Sequence, residues 1–256
     1  MNVKRFDLNI QARGAIVPGV DTAFPLESLL APGRVLRPIG PGVVSALSSH
    51  DEGAPYDRRA AAYDRLIGSR AYNRLVWGAS IADYEAFAAE ALAAGEGALL
   101  DAGCGTLVFT ADPYGSTSRP LVLVDRSLGM LRRAAERLAA AQAAFVQSDV
   151  LDLPFARNRF DTVSCHGLLH VLDHPWAALA ALRDQLAPGG RLFASMLVSD
   201  RAPGRAFLAA LHRAGEVGSP RPSDELAGAA AEIFGDSAEV DRSGSMAWLR
   251  AAAEPS

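Results

Sequence analysis

Between residues 98 and 198, short apolar runs alternate with longer stretches in which apolar positions recur every three or four residues. The runs at 98–102, 121–125, 144–147, 160–165 and 191–198 are brief and bounded by polar or glycine-rich segments, the pattern of strands buried on both faces. Between them, Leu128, Leu131, Ala135 and Leu138 share one face of a helix over 127–142, with Ser127 as its cap. A second helix over 176–186 stops at Pro188-Gly189-Gly190, where the backbone can no longer propagate it. Strand–helix alternation predicts a parallel sheet with helices on both faces, because right-handed crossovers put them there. Helices near 204–214 and 223–234 follow, and then an antiparallel hairpin, 238–241 and 246–251, about a Ser243-Gly244 turn. The predicted class is α/β: a doubly wound, mainly parallel sheet of seven strands with a C-terminal antiparallel hairpin and an N-terminal extension.

Three regions follow from this pattern: an extension over 1–55, a helical lid with a first helix over 56–97, and a core over 98–256. In the extension, Phe6, Leu8 and Ile10 alternate with polar neighbours and 15–17 offers a partner strand. Pro32-Gly33, Pro38 and Pro41-Gly42 forbid long regular elements there. In the lid, Tyr56, Ala60, Tyr63 and Ile67 recur at helical spacing, and a short helix is expected over 70–77. Ser80 caps the next helix, whose inner face holds Ile81, Tyr84, Phe87, Ala88, Ala91 and Leu92 and which ends at Gly95 and Gly97.

The chemistry gathers at strand ends. Asp101 closes the first core strand, and Gly103-Cys104-Gly105 turns directly after it. Glycine lets the backbone turn tightly and approach a ligand closely, and the carboxyl edge of a parallel sheet is where ligands bind. The third position of a dinucleotide fingerprint is here Val108, so close helix–strand packing beneath a pyrophosphate is disfavoured, and Asp101 would repel one. A carboxylate there suits an ammonium or sulfonium ligand. Asp125, ahead of Arg126 at the end of the next strand, is placed to accept from ribose hydroxyls, or else to cap the following helix. Asp149 follows the third strand, where it can accept from an exocyclic adenine amine while the Val150 N–H serves a ring nitrogen.

Composition narrows the classes. Lys4 is the one lysine in 256 residues, which excludes a Walker phosphate loop and argues against Schiff-base chemistry. Cys104 and Cys165 are too few for a disulfide framework or a zinc ribbon and read as reduced thiols. A net charge of -4 gives no general attraction to nucleic acid or anionic membrane. With no apolar leader and no bilayer-length apolar run, a soluble cytoplasmic protein is expected, with a small-molecule substrate, no nucleic-acid or membrane partner, and a homodimer left open.

These residues resemble the class I S-adenosylmethionine (SAM)-dependent methyltransferases of Rossmann-like fold, especially the small-molecule group that includes quinone-biosynthesis C-methyltransferases. The resemblance runs over 56–198. It rests on 99–106, on the Leu-Val-Asp-Arg-Ser segment at 123–127, on Ser-Asp-Val-Leu-Asp-Leu-Pro-Phe at 148–155, and on Leu-Ala-Pro-Gly-Gly-Arg-Leu at 186–192. It implies SAM as cofactor, held by Asp101, Gly103, Cys104 and Gly105 at the methionine end, Asp125 and Arg126 at the ribose, and Asp149 and Val150 at the adenine. Cys165 and His166 would line the methyl-transfer side. Leu107 stands where the family usually has a further glycine, and Pro113 interrupts the helix that should follow, so a short first crossover is expected.

Methyl transfer needs a base only when the acceptor must lose a proton, and His166 and His170 are the candidates. Tyr56, Tyr63, Tyr72 and Trp77 are expected to wall the acceptor. His166, His170 and His174 recur at helical spacing, but a strand end and Pro175 break the helix, so no metal site is assigned. Two other readings keep the fold: an enzyme that holds SAM without transferring methyl, such as a cyclase or decarboxylase, and a degenerate partner subunit. Replacing Asp125 by alanine is expected to weaken SAM binding with little effect on folding.

Overall fold

The computed structural model describes residues 24–48, 73–138 and 142–255. The expected strands at 6–10 and 15–17, and Tyr56, Tyr63 and Tyr72, lie outside the described residues. The core strands are β3 (Leu99–Ala102), β4 (Leu121–Asp125), β5 (Ala143–Gln147), β6 (Phe160–His166) and β7 (Leu186–Leu197). The hairpin strands are β8 (Glu239–Ser243) and β9 (Met246–Ala252). Two strands from the extension join them, β1 (Arg37–Gly40) and β2 (Val43–Ser45). The nine form one sheet in the order β1-β2-β5-β4-β3-β6-β7-β9-β8. β2 through β7 run parallel, while β1 on β2, β9 on β7 and β8 on β9 are antiparallel.

The helices are α1 (Ile81–Ala93), α2 (Ala111–Gly115), α3 (Leu128–Arg137), α4 (Pro175–Gln185), α5 (Ala202–Arg213) and α6 (Ser223–Phe234). Ser80 caps α1 reciprocally: its hydroxyl accepts the Asp83 N–H, and the Asp83 carboxylate accepts the Ser80 N–H. Ser127 caps α3 through the Met130 N–H. Alternation along the strands feeds two apolar layers. Leu99, Leu121, Leu123 and Phe145 pack with α3 on one face. Leu100, Val122, Val163, Cys165 and Leu192 pack with α4 and α6 on the other.

The extension buttresses the site. The Ala31 N–H donates to the Pro154 carbonyl, and the Ala156 N–H donates to that of Leu29. Arg34 pairs with Asp152, and β2 lies in register with the end of β5, Ser45 beside Gln147. The loop after β5 is thus held from outside the sheet by residues in which Pro32, Pro38 and Pro41 predicted no long element. β1, four residues at the sheet's edge, carries Pro38 where an edge strand tolerates it, and β2, three residues, begins after Pro41.

The first crossover is short, as Pro113 implied: α2 has five residues. Leu107 in the loop before it has φ 57°, the left-handed conformation that glycine adopts without strain. Its side chain is nevertheless 1% exposed, in the layer with Leu121 and Tyr114. Left-handed backbone costs a non-glycine residue about 1–2 kcal/mol, whereas truncating a buried leucine costs about 2–5 kcal/mol. Burial wins, so Leu107→Gly is expected to lower the urea midpoint, by about 2–3 kcal/mol in stability. A midpoint that rises would show that strain dominates.

Candidate functional site

The switch point of the sheet lies between β3 and β6, where the chain leaves one half of the sheet and begins the other. A cavity of about 620 Å³ opens there, at the carboxyl ends of β3, β4 and β6. Its lining includes Asp101, the Gly103–Gly105 turn, Asp125, Asp149 and Val150, and also Trp77, Tyr84, His166, His170, Leu211 and Met246.

The turn is built around one carbonyl. The Gly103 and Cys104 N–H groups both donate to Val124 O, at 2.8 and 2.9 Å, which folds the loop over the end of β4. Gly103 has φ 77°, and a Cβ there would stand 2.8 Å from Leu168 Cδ2. Gly105 has φ 56°, and a Cβ there would meet nothing within 4 Å. Gly103 is therefore a packing requirement, and Gly105 is backbone bared toward open space.

Asp101 is 1% exposed. The Tyr114 hydroxyl donates to its Oδ2 at 3.0 Å, while Oδ1 has no hydrogen-bond partner among the described residues. Burial pushes the carboxyl up to about 7, against the Tyr114 hydrogen bond, and the neighbouring Asp125 adds to the rise. A buried carboxylate with an unused oxygen on a cavity wall is a receptor for a cationic hydrogen-bond donor.

Asp125 is already engaged. Its Oδ2 accepts the Gly105 N–H at 2.9 Å and its Oδ1 the Ser127 N–H at 2.8 Å. Ribose binding and helix capping, posed as alternatives by the sequence, are thus compatible in one residue, because a carboxylate has about four acceptor sites. Asp149 pairs with Arg126 at 2.7 Å and accepts the Leu151 N–H at 2.9 Å. Arg126 is half exposed and serves Asp149 rather than reaching across the cavity.

Cys104 lines the cavity, and burial pushes its thiol well above the ordinary range, so it stays protonated. Cys165 does not line it. That residue is fully buried in the layer beneath α4, on the face of β6 opposite His166. Side chains alternate along a strand, so Cys165 and His166 cannot both face the cavity; the expectation for Cys165 is corrected.

His166 and His170 both line the cavity although they come from a strand end and the 3-10 turn after it. Burial pushes each imidazole down to about 4. His166 Nε2 is buried with no partner among the described residues. His170 Nδ1 accepts the Leu197 N–H at 3.4 Å.

Trp77 is on the wall, at the end of a single wide turn, Asn73–Trp77. Tyr84 and Phe109, stacked at 4.4 Å with 11° between their planes, were not assigned to the site by the sequence. Tyr84 had been read as an inward helix position, and it packs inward while keeping one edge on the cavity. Met246 and Leu211 come from the hairpin and from α5, far along the chain, and no local pattern marks them.

Residues 100–194 match the family described as "Methyltransferase domain", and the chain is similar in fold to solved SAM-dependent methyltransferases. The demethylmenaquinone methyltransferase of Renibacterium salmoninarum is 35% identical over 94 residues, 37% of this chain and 38% of that protein. The matched segments span between 24% and 58% of the curated relatives' own length. Among solved structures, a Haemonchus contortus phosphoethanolamine N-methyltransferase with S-adenosylhomocysteine superposes at a TM-score of 0.62 with 16% identity, over 78% of this chain and 58% of that one. The cyclase SpnF superposes at 0.54 with 18% identity, over 78% and 95%. Both likenesses are of fold. Among the described residues, no helix is long and apolar enough to cross a membrane.

Proposed function

We propose that this domain binds SAM along the rim from Asp101 to Asp149 and catalyses methyl transfer to O, N or C of a small-molecule acceptor. The observation that carries the reading is the orphaned Asp101 oxygen on the wall of a cavity shared with Asp125 and Asp149. Asp101 would take the ammonium of the methionine end, with Gly105, open where a Cβ would stand, beside it. Asp125 would accept from the ribose hydroxyls. Asp149 and the Val150 N–H would face the adenine. A volume of this size suits a nucleoside together with an acceptor. SAM, when bound, supplies an electrophilic methyl group on a sulfonium leaving group. The chain's own task is alignment and exclusion of water, and, where the acceptor carries a proton, its removal.

His166 is the base in this reading, because its buried Nε2 has no competing partner among the described residues. Its low pKa keeps it neutral, and thus able to accept, at every pH above about 4. The test is incubation with methyl-labelled SAM and a metabolite extract. S-adenosylhomocysteine should appear together with a product in which one hydrogen is replaced by methyl. His166→Ala should lower turnover about 100-fold with SAM affinity unchanged. Unaltered turnover removes His166 as base. SAM that binds and is never consumed overturns methyl transfer in favour of the non-transferring reading.

A further inference from the structure

Resting on that reading of the rim, we propose that Tyr114 is the positioning residue for the ligand's ammonium: its hydroxyl pins Asp101 Oδ2 and so leaves Oδ1 to the ligand. Two observations carry it, the way Tyr114 reaches the carboxylate and the set of groups that face the pair.

Tyr114 is 0% exposed and is not among the residues that line the cavity, whereas Asp101 is. It can act on a ligand only through Asp101, whose Oδ2 accepts its hydroxyl at 3.0 Å. The short crossover places it there. In the five residues of α2 the Tyr114 N–H donates to Thr110 O at 2.9 Å, and the ring packs with Leu99, Leu107 and Leu121. Side chains alternate along β3, so Asp101 shares the face of Leu99 and meets this layer. A buried phenol needs an acceptor and a buried carboxylate needs a donor, and each serves the other. A carboxylate held by one oxygen cannot rotate to exchange the two, so the unserved oxygen is always Oδ1.

Asp125, at the end of β4, opposes charge on Asp101. Burial holds the thiols of Cys104 in the turn and Cys165 on β6 protonated. Ser164 stands beside Asp101 in the register of β6 on β3, and its oxygen has no hydrogen-bond partner among the described residues. Arg119 lies close enough to feel Tyr114 and is held by the carbonyls of Leu92 and Gly97. His166 and His170, on the cavity wall, stay neutral above about pH 4. Of the groups that act on Asp101, Tyr114 is the one that favours its charged form. Burial pushes the Tyr114 hydroxyl well above the ordinary range, so it stays a donor throughout.

The experiment is calorimetric titration of the full chain with S-adenosylhomocysteine, native against Tyr114→Phe, from pH 6 to 8.5. Phenylalanine keeps the ring in its layer and removes the donor, which should move the ionisation of Asp101 up by about one to two pH units. The ratio of the two affinities cancels the ligand's own titration. Native protein should bind about 10- to 100-fold tighter at pH 6, narrowing to about fourfold or less at pH 8.5. A loss of equal size at every pH assigns Tyr114 a packing role and overturns the proposal. Urea unfolding of the empty proteins supplies a second readout. A folded-state carboxyl with a raised pKa loses stability as pH rises through that pKa. The midpoint of Tyr114→Phe should therefore fall relative to native between pH 7 and 8.5. In an Asp101→Asn background the same substitution should give a difference independent of pH; a difference that still varies there overturns the link to Asp101. If native protein binds no S-adenosylhomocysteine at any pH, the rim reading falls and takes this proposal with it. If native protein binds and the affinity ratio is flat, this proposal falls alone.

Discussion

Asp101→Asn will leave a protein that is more stable when empty and nearly unable to hold S-adenosylhomocysteine. The carboxyl is buried with one oxygen unserved, and its pKa stands at about 7 instead of the ordinary value near 3.8. A raised carboxylate pKa means that the folded state holds its proton longer than the unfolded chain. Between pH 4 and 7 the native state therefore binds more protons, and stability falls as pH rises through that window. Above pH 7 the deficit is complete, at about 4 kcal/mol by linkage. Asparagine removes the charge, and its carbonyl still accepts from Tyr114. Its amide N–H then occupies the unserved place, at a cost of about 1–3 kcal/mol. The balance at pH 8 is a gain on the order of 2 kcal/mol, or about 4–8 °C in Tm for a chain of this length. At pH 4 the gain should vanish or reverse.

The same substitution removes the anionic partner of a buried ammonium, which costs about 2–5 kcal/mol, some 30-fold to several-thousand-fold in affinity. The native protein adds a signature that the variant lacks. Below pH 7, Asp101 must release a proton before it serves a cation, so the association constant should drop about tenfold per pH unit and level off above. Calorimetry from pH 5.5 to 8.5, with Asp101→Asn as the flat control, measures both. Native affinity that stays constant across that range would show that Asp101 does not face the ligand's charge. A variant less stable than native at pH 8 would show that burying the amide N–H costs more than burying the charge.

Local chemistry was legible in the sequence wherever a single element decides the outcome. The Ser80 and Ser127 caps and the bounds of α6 each depend on a few neighbouring residues, and each is where the pattern places it, while the predicted hairpin forms with its turn at Gly244-Ser245, one residue later than read. The carboxylates at the ends of β3 and β4 were legible for the same reason, since a strand end is a local feature. What stayed hidden needed the third dimension. β1 and β2 are too short to outweigh three prolines in a pattern; they exist because the edge of β5 offers unpaired backbone. Met246 and Leu211 reach the cavity only because β9 pairs with β7 and α5 lies over the sheet's end. Cys165 was assigned one residue off the face it needed, the characteristic error of reading a strand end without its register.

Asp125→Ala is expected to damage both fold and binding, and here the geometry revises what the sequence alone implied. A terminal ribose ligand could be removed with little effect on folding. Asp125 instead joins two elements: Oδ2 holds the Gly105 N–H of the turn, and Oδ1 holds the Ser127 N–H at the start of α3. Each bond to a charged acceptor contributes about 1.5–3 kcal/mol. Water recovers part of that at this half-buried position, so a loss of about 2–3 kcal/mol in stability is expected. Binding falls further than the ribose contacts alone require, because the glycine turn must then be ordered by the ligand. A decline of more than about 100-fold in S-adenosylhomocysteine affinity is the expected result, from about 3 kcal/mol of lost hydrogen bonding. Asp125→Asn isolates the two effects. Its carbonyl can serve one backbone N–H while its amide group turns a donor toward the other, so it should weaken binding nearly as much as alanine despite its matched size. Urea unfolding with calorimetry on both variants checks this. If Asp125→Asn binds within about threefold of native, roughly 0.7 kcal/mol, neither the ribose role nor the coupling of turn and helix through this carboxylate survives.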